Sequence, residues 1–373
     1  MSEPGAASVL VLEPYYGGSH RAFLENLVRY LPFSFTLLTL PARKWKWRMR
    51  LAAPHFAEVL HHQRPPADLV LCSTFVDVAT LRALAPSWVQ RLPMLTYFHE
   101  NQFAYPVQVD DERDFHFGLT NYTTALASDG LAFNSAYNLK TFLAGVQGLV
   151  KKAGDMAVPD VEATIRGKAA ILPPGLDFSD FPGVAAAAPK TAPVIIWNHR
   201  WEHDKNPARF FQALYQLDRE GVPFRLVVLG QAFQRQPAVF EEARRLLAHR
   251  LLHFGYVASR AEYIRWLHQG DLVVSTADHE FFGMAVLEAV RAGCRPLLPN
   301  RLSYPEIFPL EFLYDDQALH GALLAALGKG RLPPRQARQL TEPFSWTHLA
   351  AAYGQWFGSF SGNHPGLMSV QVK

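Results

Sequence analysis

Short hydrophobic runs, rich in β-branched residues and closed by glycine, proline or small polar residues, recur along the chain with longer amphipathic segments between them. SVLVLE (8–13), FTLLTL (35–40), DLVLCS (68–73), MLTYF (94–98), DGLAFNS (129–135) and KAAILP (168–173) form a first series. PVIIWN (193–198), FRLVVLG (224–230), LLHFGYV (251–257), DLVVSTAD (271–278) and RPLLP (295–299) form a second. Runs without polar alternation are the mark of strands buried on both faces, as in parallel sheets. The intervening segments predict helices at 22–31, 53–62, after Asp77, at 115–128, around 240–249, from Ser259, after Gly283 and near 303–308. Residues 151–167 read as irregular. Strand and helix alternating twice over predicts two doubly wound α/β units.

PPGLDFSDFPG (173–183) is punctuated as a linker, followed by the alanine-rich patch 185–188. Domains are expected at 1–173 and 174–344. Residues 345–373 then form an amphipathic helix (344–360) that returns to the first domain, and a flexible tail from Ser361. A chain of 373 residues suits two ordinary domains. The net charge of +3 neither requires nor excludes a polyanionic partner. Cys72 and Cys294, one in each half and both in apolar runs, read as buried thiols in a reducing compartment. With no apolar stretch of membrane-spanning length and no signal pattern in MSEPGAAS, a cytoplasmic protein is expected. Its oligomeric state is left open.

The candidate chemistry gathers at the carboxyl ends of the expected strands, where open α/β sheets bind ligands. In DHEFFGMAVLE (278–288), Glu280 lies on the loop after a strand. Phe281, Phe282, Gly283 and Met284 open a helix, and Glu288 falls on its second turn. Free N–H groups at such a helix start can hold a phosphate, and the carboxylates can accept hydrogen bonds from sugar hydroxyls. Glutamates eight residues apart carry little weight alone, since any helix can bear one at its first turn. HRWEHDKNP (199–207) puts Arg200 and Lys205 on another strand-to-helix loop, a cation pair suited to a diphosphate. Exposure, or pairing with Glu202 or Asp204, is the bland alternative. Gly17, Gly18 and Ser19 form a strand–glycine–helix turn that permits close backbone approach, with Ser19 as a helix cap. In PARKWKWRMR (41–50), the cations Arg43, Lys44, Lys46, Arg48 and Arg50 alternate with Trp45 and Trp47. That mixture suits a nucleic-acid backbone with bases free to stack; a solvated loop or a surface for anionic lipid is the alternative. His99, Glu100, Asn101 and Gln102, followed by Tyr105, crowd one strand end in a way that packing does not explain. The histidines lack zinc spacing, and Asp110–Asp111 and Asp315–Asp316 read as solvated pairs, so no metal is expected.

The run of Glu280, Phe282-Gly283, Glu288 with Ala289, and Ala292-Gly293-Cys294 resembles the donor-site signature of family 4 retaining glycosyltransferases. LEPYYGGSH, PARKWKWRMR, TYFHENQFAYP, ERDFHFGLTNYTTALASD and FNSAYN together resemble the tRNA-queuosine mannosyltransferase family, and the likeness extends over nearly the whole chain. The resemblance implies a GT-B fold: two Rossmann-like doubly wound domains facing a central cleft, with the C-terminal helix crossing back. It implies transfer of mannose from GDP-mannose to queuosine in tRNA for aspartate, with retention and without a metal. By the same resemblance, Glu280 contacts the transferred sugar and Glu288 the ribose, and Tyr256 and Val257 present backbone to the base. Gly17, Gly18 and Ser19 lie against the diphosphate and the acceptor, and His99 meets the donor sugar. Glu100, Asn101, Gln102 and Tyr105, with the basic-aromatic segment, fall to the acceptor. Glu280 is on the hydroxyl side of the sugar and not a nucleophile, so the implied step is a same-face substitution in which the departing phosphate helps deprotonate the acceptor. The runner-up is a family 4 enzyme acting on a lipid-linked or small glycan acceptor at a membrane surface. A sugar-nucleotide epimerase or a binding protein on the same fold is a third.

Overall fold

A computed structural model describes residues 6–105, 115–152, 154–155, 160–181, 190–231, 237–316 and 318–362. Asp110–Asp111, the alanine-rich patch and the tail beyond residue 362 lie outside the described residues. The chain divides into two units, Met1–Gly175 with Trp346–Lys373, and Leu176–Ser345.

The first unit is built on six strands: β1 (Ser8–Tyr16), β2 (Ser34–Pro41), β3 (Leu69–Ser73), β4 (Met94–Phe98), β5 (Gly130–Phe133) and β6 (Ala169–Ile171). They run parallel in the order β2-β1-β3-β4-β5-β6. Successive residues of each strand feed opposite faces, as the strand's period of two requires. Val9, Val11, Leu69, Leu71, Leu95 and Tyr97 pack on Phe23, Leu24 and Leu27 of helix Gly18–Tyr30 and on helix Trp346–Gly358. Leu10, Leu12, Val70, Cys72 and Met94 pack on Ala53, Phe56 and Leu60 of helix Trp45–His62. The C-terminal helix is fastened at its start: a Cβ on Gly175 would come within 2.5 Å of the Trp346 ring, so only glycine permits that approach. Tyr353 Oη donates to the carbonyls of Leu172 and Pro173, at 3.2 and 3.0 Å.

The second unit repeats the plan with β7 (Val194–Asn198), β8 (Arg225–Leu229), β9 (Leu251–Gly255), β10 (Leu272–Val274), β11 (Arg295–Pro299) and β12 (Leu313–Tyr314). The order β12-β11-β10-β7-β8-β9 is again all parallel. Counted from β7 it is the 3-2-1-4-5-6 order of dinucleotide-binding sheets, and the strand order reverses between β7 and β10. The helices that follow those two strands pack on opposite faces of the sheet, Pro207–Arg219 on one and Met284–Arg291 on the other. Within this unit Leu176 pairs with Ser345, and Leu176 N–H donates to the Phe344 carbonyl at 2.8 Å, so the segments entering and leaving it run side by side.

Four expectations need adjustment. The basic-aromatic segment is not a loop before a helix but the first turns of the helix itself, which begins at Trp45 after Lys44 in left-handed conformation (φ 51°) and tolerates Pro54 inside. Packing of Trp45 between Phe75, Tyr105 and Phe117 fixes this start. Ser19 is not a helix cap: the capping position is Gly17, and Ser19 lies inside the first turn. Residues 161–166, read as irregular, form the short helix Val161–Arg166. The alternation of chain between units falls at 175/176 and 345/346 rather than at 173/174 and 344/345.

Candidate active site

The second unit's strand-order reversal is where Arg200, Lys205 and Glu280 come together. β7 runs into His199–Asn206 and β10 into Ser275–Gly283. The two loops are laced: Thr276 Oγ1 donates to the carbonyls of Lys205 and Asn206 at 2.9 and 3.0 Å, and the Asp278 N–H donates to the Asp204 carbonyl at 2.8 Å. Asn206, left-handed at φ 47°, caps helix Pro207–Arg219 and gives its amide N–H to Asp278 at 2.9 Å. Gly230, at the end of β8, lets that chain close behind them; a Cβ there would sit 1.9 Å from the His199 carbonyl oxygen.

Lys205 is the centre of charge. Its side chain is 7% exposed, and Nζ lies 2.6 Å from the His279 carbonyl, 3.1 Å from Asp204 Oδ2 and 3.3 Å from Glu280 Oε2. Burial pulls its pKa down; Glu280 and Asp204 outweigh that and hold it above the ordinary value. Glu280 is the mirror case. Burial pushes its pKa up, but Lys205, with smaller help from His199 and from the Phe282 N–H at 3.3 Å, brings it down to about 2. The neighbouring imidazoles of His199 and His279 are driven down to about 4 by burial and by the Lys205 cation, so both are neutral at pH 7. Arg200 is half exposed and pairs with Glu202 at 3.1 Å, the bland partner the sequence offered.

Gly283, at φ 95°, turns the chain into helix Met284–Arg291, whose first turn holds no acidic residue. Phe281 and Phe282 are buried beneath it. Glu288, one turn further on, accepts from Tyr263 Oη at 3.0 Å and pairs with Arg260 at 2.6 Å. Asn198, the last residue of β7, donates to Tyr263 Oη at 3.1 Å and ties this group to the strand end. Tyr256, 64% exposed, and the half-buried Val257 follow Gly255, which ends β9 at φ 145°.

In the first unit the candidate residues fall into two groups. Gly17 lies against Ala42, where a Cβ would be 2.5 Å from the alanine methyl, and Gly18 is left-handed at φ 52°. His99 follows β4; its carbonyl accepts from Asn134 Nδ2 at 2.7 Å, and its ring is stacked on His20 with centroids 4.0 Å apart. Glu13 Oε2 lies 3.0 Å from His20 Nδ1. Glu100 and Gln102 are half buried, and the Gln102 N–H is held by Asn121 Oδ1 at 2.9 Å. Asn101, expected to face the acceptor, is fully buried and spends its amide within the unit. Its Oδ1 accepts from the N–H groups of Phe103 and Ala104, and Nδ2 donates to Asn138 and Thr141. It builds the loop. Arg43, Lys44 and Lys46 are exposed, as is Trp47 at 63%, whereas Arg48 is turned back to the Pro41 carbonyl at 3.2 Å. Trp45 and Tyr105 pack against each other. The second group is therefore a cationic helix start bearing one free-standing indole.

Sequence reasoning overlooked Glu13, His20, His199 and His279. Glu13 and His20 carried a signal: both flank the glycine turn that was singled out, inside LEPYYGGSH. Glu13, His20 and His99 bring ligand-type atoms within 4.8 Å of one another. Among the described residues no helix is long and apolar enough to cross a membrane.

Residues 8–176 match the family model for the N-terminal part of tRNA-queuosine alpha-mannosyltransferase, and residues 184–317 match glycosyl transferases group 1. A tRNA-queuosine alpha-mannosyltransferase of Drosophila melanogaster is 37% identical over 354 residues, covering 92% of this chain and 93% of its own length. The chain belongs to the tRNA-queuosine alpha-mannosyltransferase family. A glycogen synthase of Mycobacterium tuberculosis is 27% identical over 48% of this chain and 46% of its own. Among solved structures, sucrose-phosphate synthase from Thermosynechococcus elongatus superposes with a TM-score of 0.68 at 16% identity, covering 95% of this chain and 98% of the other. Anabaena HepE in complex with UDP does so with a TM-score of 0.65 at 14% identity, covering 94% of this chain and 100% of the other. The two units are the Rossmann-like domains of a GT-B glycosyltransferase.

Proposed function

We propose that this chain transfers mannose from GDP-mannose to queuosine in tRNA, with retention of anomeric configuration and without a metal, in the cytoplasm. The observation that carries the reading is the 37% identity sustained across both units to a tRNA-queuosine alpha-mannosyltransferase. The local geometry supports it. The Lys205–Glu280 pair sits where a doubly wound sheet receives a nucleotide. Arg200, Lys205 and the helix start after Gly283 would meet the charge that develops on the departing phosphate. Glu280, ionised through the working pH range, would accept from the sugar hydroxyls, and Glu288 from the ribose. Tyr256 and Val257 would offer backbone to the guanine. On the first unit, Gly17, Gly18 and Ser19 would approach the diphosphate, and His99 would orient the transferred sugar. With no carboxylate cast as nucleophile, a same-face substitution follows, the leaving phosphate taking the acceptor proton. Arg43, Lys44, Lys46 and Trp47 would engage the tRNA backbone and a base, and Glu100, Gln102 and Tyr105 the queuosine itself.

The donor and metal assignments are tested by nucleoside-diphosphate release with queuosine-containing tRNA as acceptor. GDP-mannose is expected to turn over equally well before and after exhaustive chelation, and UDP-mannose about 100-fold more slowly. A rate that collapses on chelation and returns with magnesium or manganese would contradict the metal-free reading.

A further inference from the structure

The first unit contains a buried ionisable group that none of the roles above uses. Glu13, on β1, is 1% exposed, and His20, in the first turn of the following helix, is 5% exposed. Both Glu13 oxygens are committed: Oε1 accepts from the Tyr15 N–H at 2.7 Å, and Oε2 lies 3.0 Å from His20 Nδ1. The carboxylate therefore holds a proton on His20 Nδ1 and fixes how the ring is turned. That ring lies between Phe75, at 5.4 Å, and His99, stacked at 4.0 Å. Phe23 and Tyr97 close on His99 from the edge at 4.9 and 4.6 Å, and its carbonyl is pinned by Asn134. Among the described residues, the ring stacked on His99 is the His20 imidazole, which can carry a positive charge.

We propose that Glu13 and His20 are positioning residues for His99: the carboxylate fixes the His20 ring, and that ring, through the stack, sets the orientation and charge of the imidazole offered to the donor sugar. The proposal rests on the reading of His99 as a donor-sugar contact. Of two imidazoles stacked at 4.0 Å, one buried and one half-buried, a charge on the first disfavours a charge on the second. Glu13 Oε2 is at hydrogen-bond distance, 3.0 Å, from His20 Nδ1, and both Glu13 oxygens are committed, so the proton resides on His20. In agreement, burial opposes protonation of His20 but Glu13 outweighs it, whereas burial and the His20 charge hold His99 well below the ordinary imidazole range. The other titratable groups near the pair do not compete. Cys72 on β3, Tyr97 on β4 and Tyr353 on the C-terminal helix are buried with raised pKa values and stay neutral, and Glu100 adds negative charge that favours protonated His20. A neutral His99 keeps one donor and one acceptor nitrogen. It adds no positive charge beside a sugar whose transition state is itself oxocarbenium-like.

The test has two arms. Nitrogen-15 spectra of histidine-labelled enzyme, with the two rings assigned by loss of signal in His20→Gln and His99→Gln, are expected to show His20 as imidazolium and His99 as neutral imidazole at pH 7. This arm needs no substrate, so it stands whether or not the chain transfers mannose. In the second arm, Glu13→Gln weakens the charge on His20 that keeps His99 neutral, so the acid limb of the kcat–pH profile is expected to move up by about one pH unit or more, with KM for tRNA changed less than about twofold. If Glu13→Gln does not fold, the spectra of the unaltered enzyme decide alone. A neutral His20 beside a protonated His99, or a folded Glu13→Gln with an unmoved pH profile, would overturn the proposal.

Discussion

Lys205→Met is expected to abolish most transfer activity and to destabilise the second unit at the same time. The cation lies within 3.3 Å of two carboxylates and a carbonyl in a site that is nearly closed to water. Its removal leaves Asp204 and Glu280 facing each other without a counter-charge, and breaking such a buried pair costs about 3–5 kcal/mol. Glu280 would then respond to burial, which pushes its pKa up from the value of about 2 that Lys205 sustains. A protonated Glu280 would lose acceptor capacity for sugar hydroxyls, and the leaving phosphate would lose one of its two cations. Together these are expected to lower kcat/KM by about 100-fold or more. Urea midpoints and GDP-release rates measure the two effects separately. Pairing the change with Glu280→Gln is expected to recover part of the stability and none of the activity. Recovery of both, or a single variant with activity within about twofold of normal, would remove Lys205 from the chemistry.

The second large effect belongs to the other unit. Changing Arg43, Lys44 and Lys46 together to glutamine removes three exposed cations without touching Arg48, which is spent on the Pro41 carbonyl. If each meets a phosphate, the slope of log binding constant against log salt falls in magnitude by about three. Affinity for tRNA then drops about tenfold or more at low salt. Donor binding is expected to stay as it was. Filter binding over a salt series reads the slope, and calorimetry with GDP-mannose reads the donor. An unchanged salt slope would mean that this helix start is simply solvated.

These variants also show which parts of the molecule the linear chain discloses. The β7 and β10 loops were legible because parallel strands buried on both faces are unbroken apolar runs, and a polar residue just past such a run must lie at the sheet's carboxyl edge. Arg200, Lys205 and Glu280 were placed on that ground alone. The partner of Lys205 was not so legible: the sequence neighbour Asp204 could be named, but its convergence with Glu280 depends on Thr276 lacing two loops seventy residues apart in the chain. Asn101 misled for the same reason. An asparagine in a polar loop reads as a contact for a ligand, yet Asn138 and Thr141, on a later helix, bury it. The basic segment looked like a loop because Pro54 and the cations mask helical periodicity; Trp45 settles the matter by packing on Phe75 and Phe117, which are distant in sequence. The His20–His99 stack brings together the ends of β1 and β4 and has no local signature at all.

Purified protein would be incubated with GDP-mannose and tRNA for aspartate, one sample carrying queuosine and a matched one carrying guanosine at that position, and the nucleosides resolved by mass spectrometry. A single hexose is expected on queuosine and none on the guanosine control, with the product lost in Glu280→Ala. Queuosine recovered unmodified by an enzyme that still binds GDP-mannose would contradict the proposed transfer and direct the search to lipid-linked and glycan acceptors.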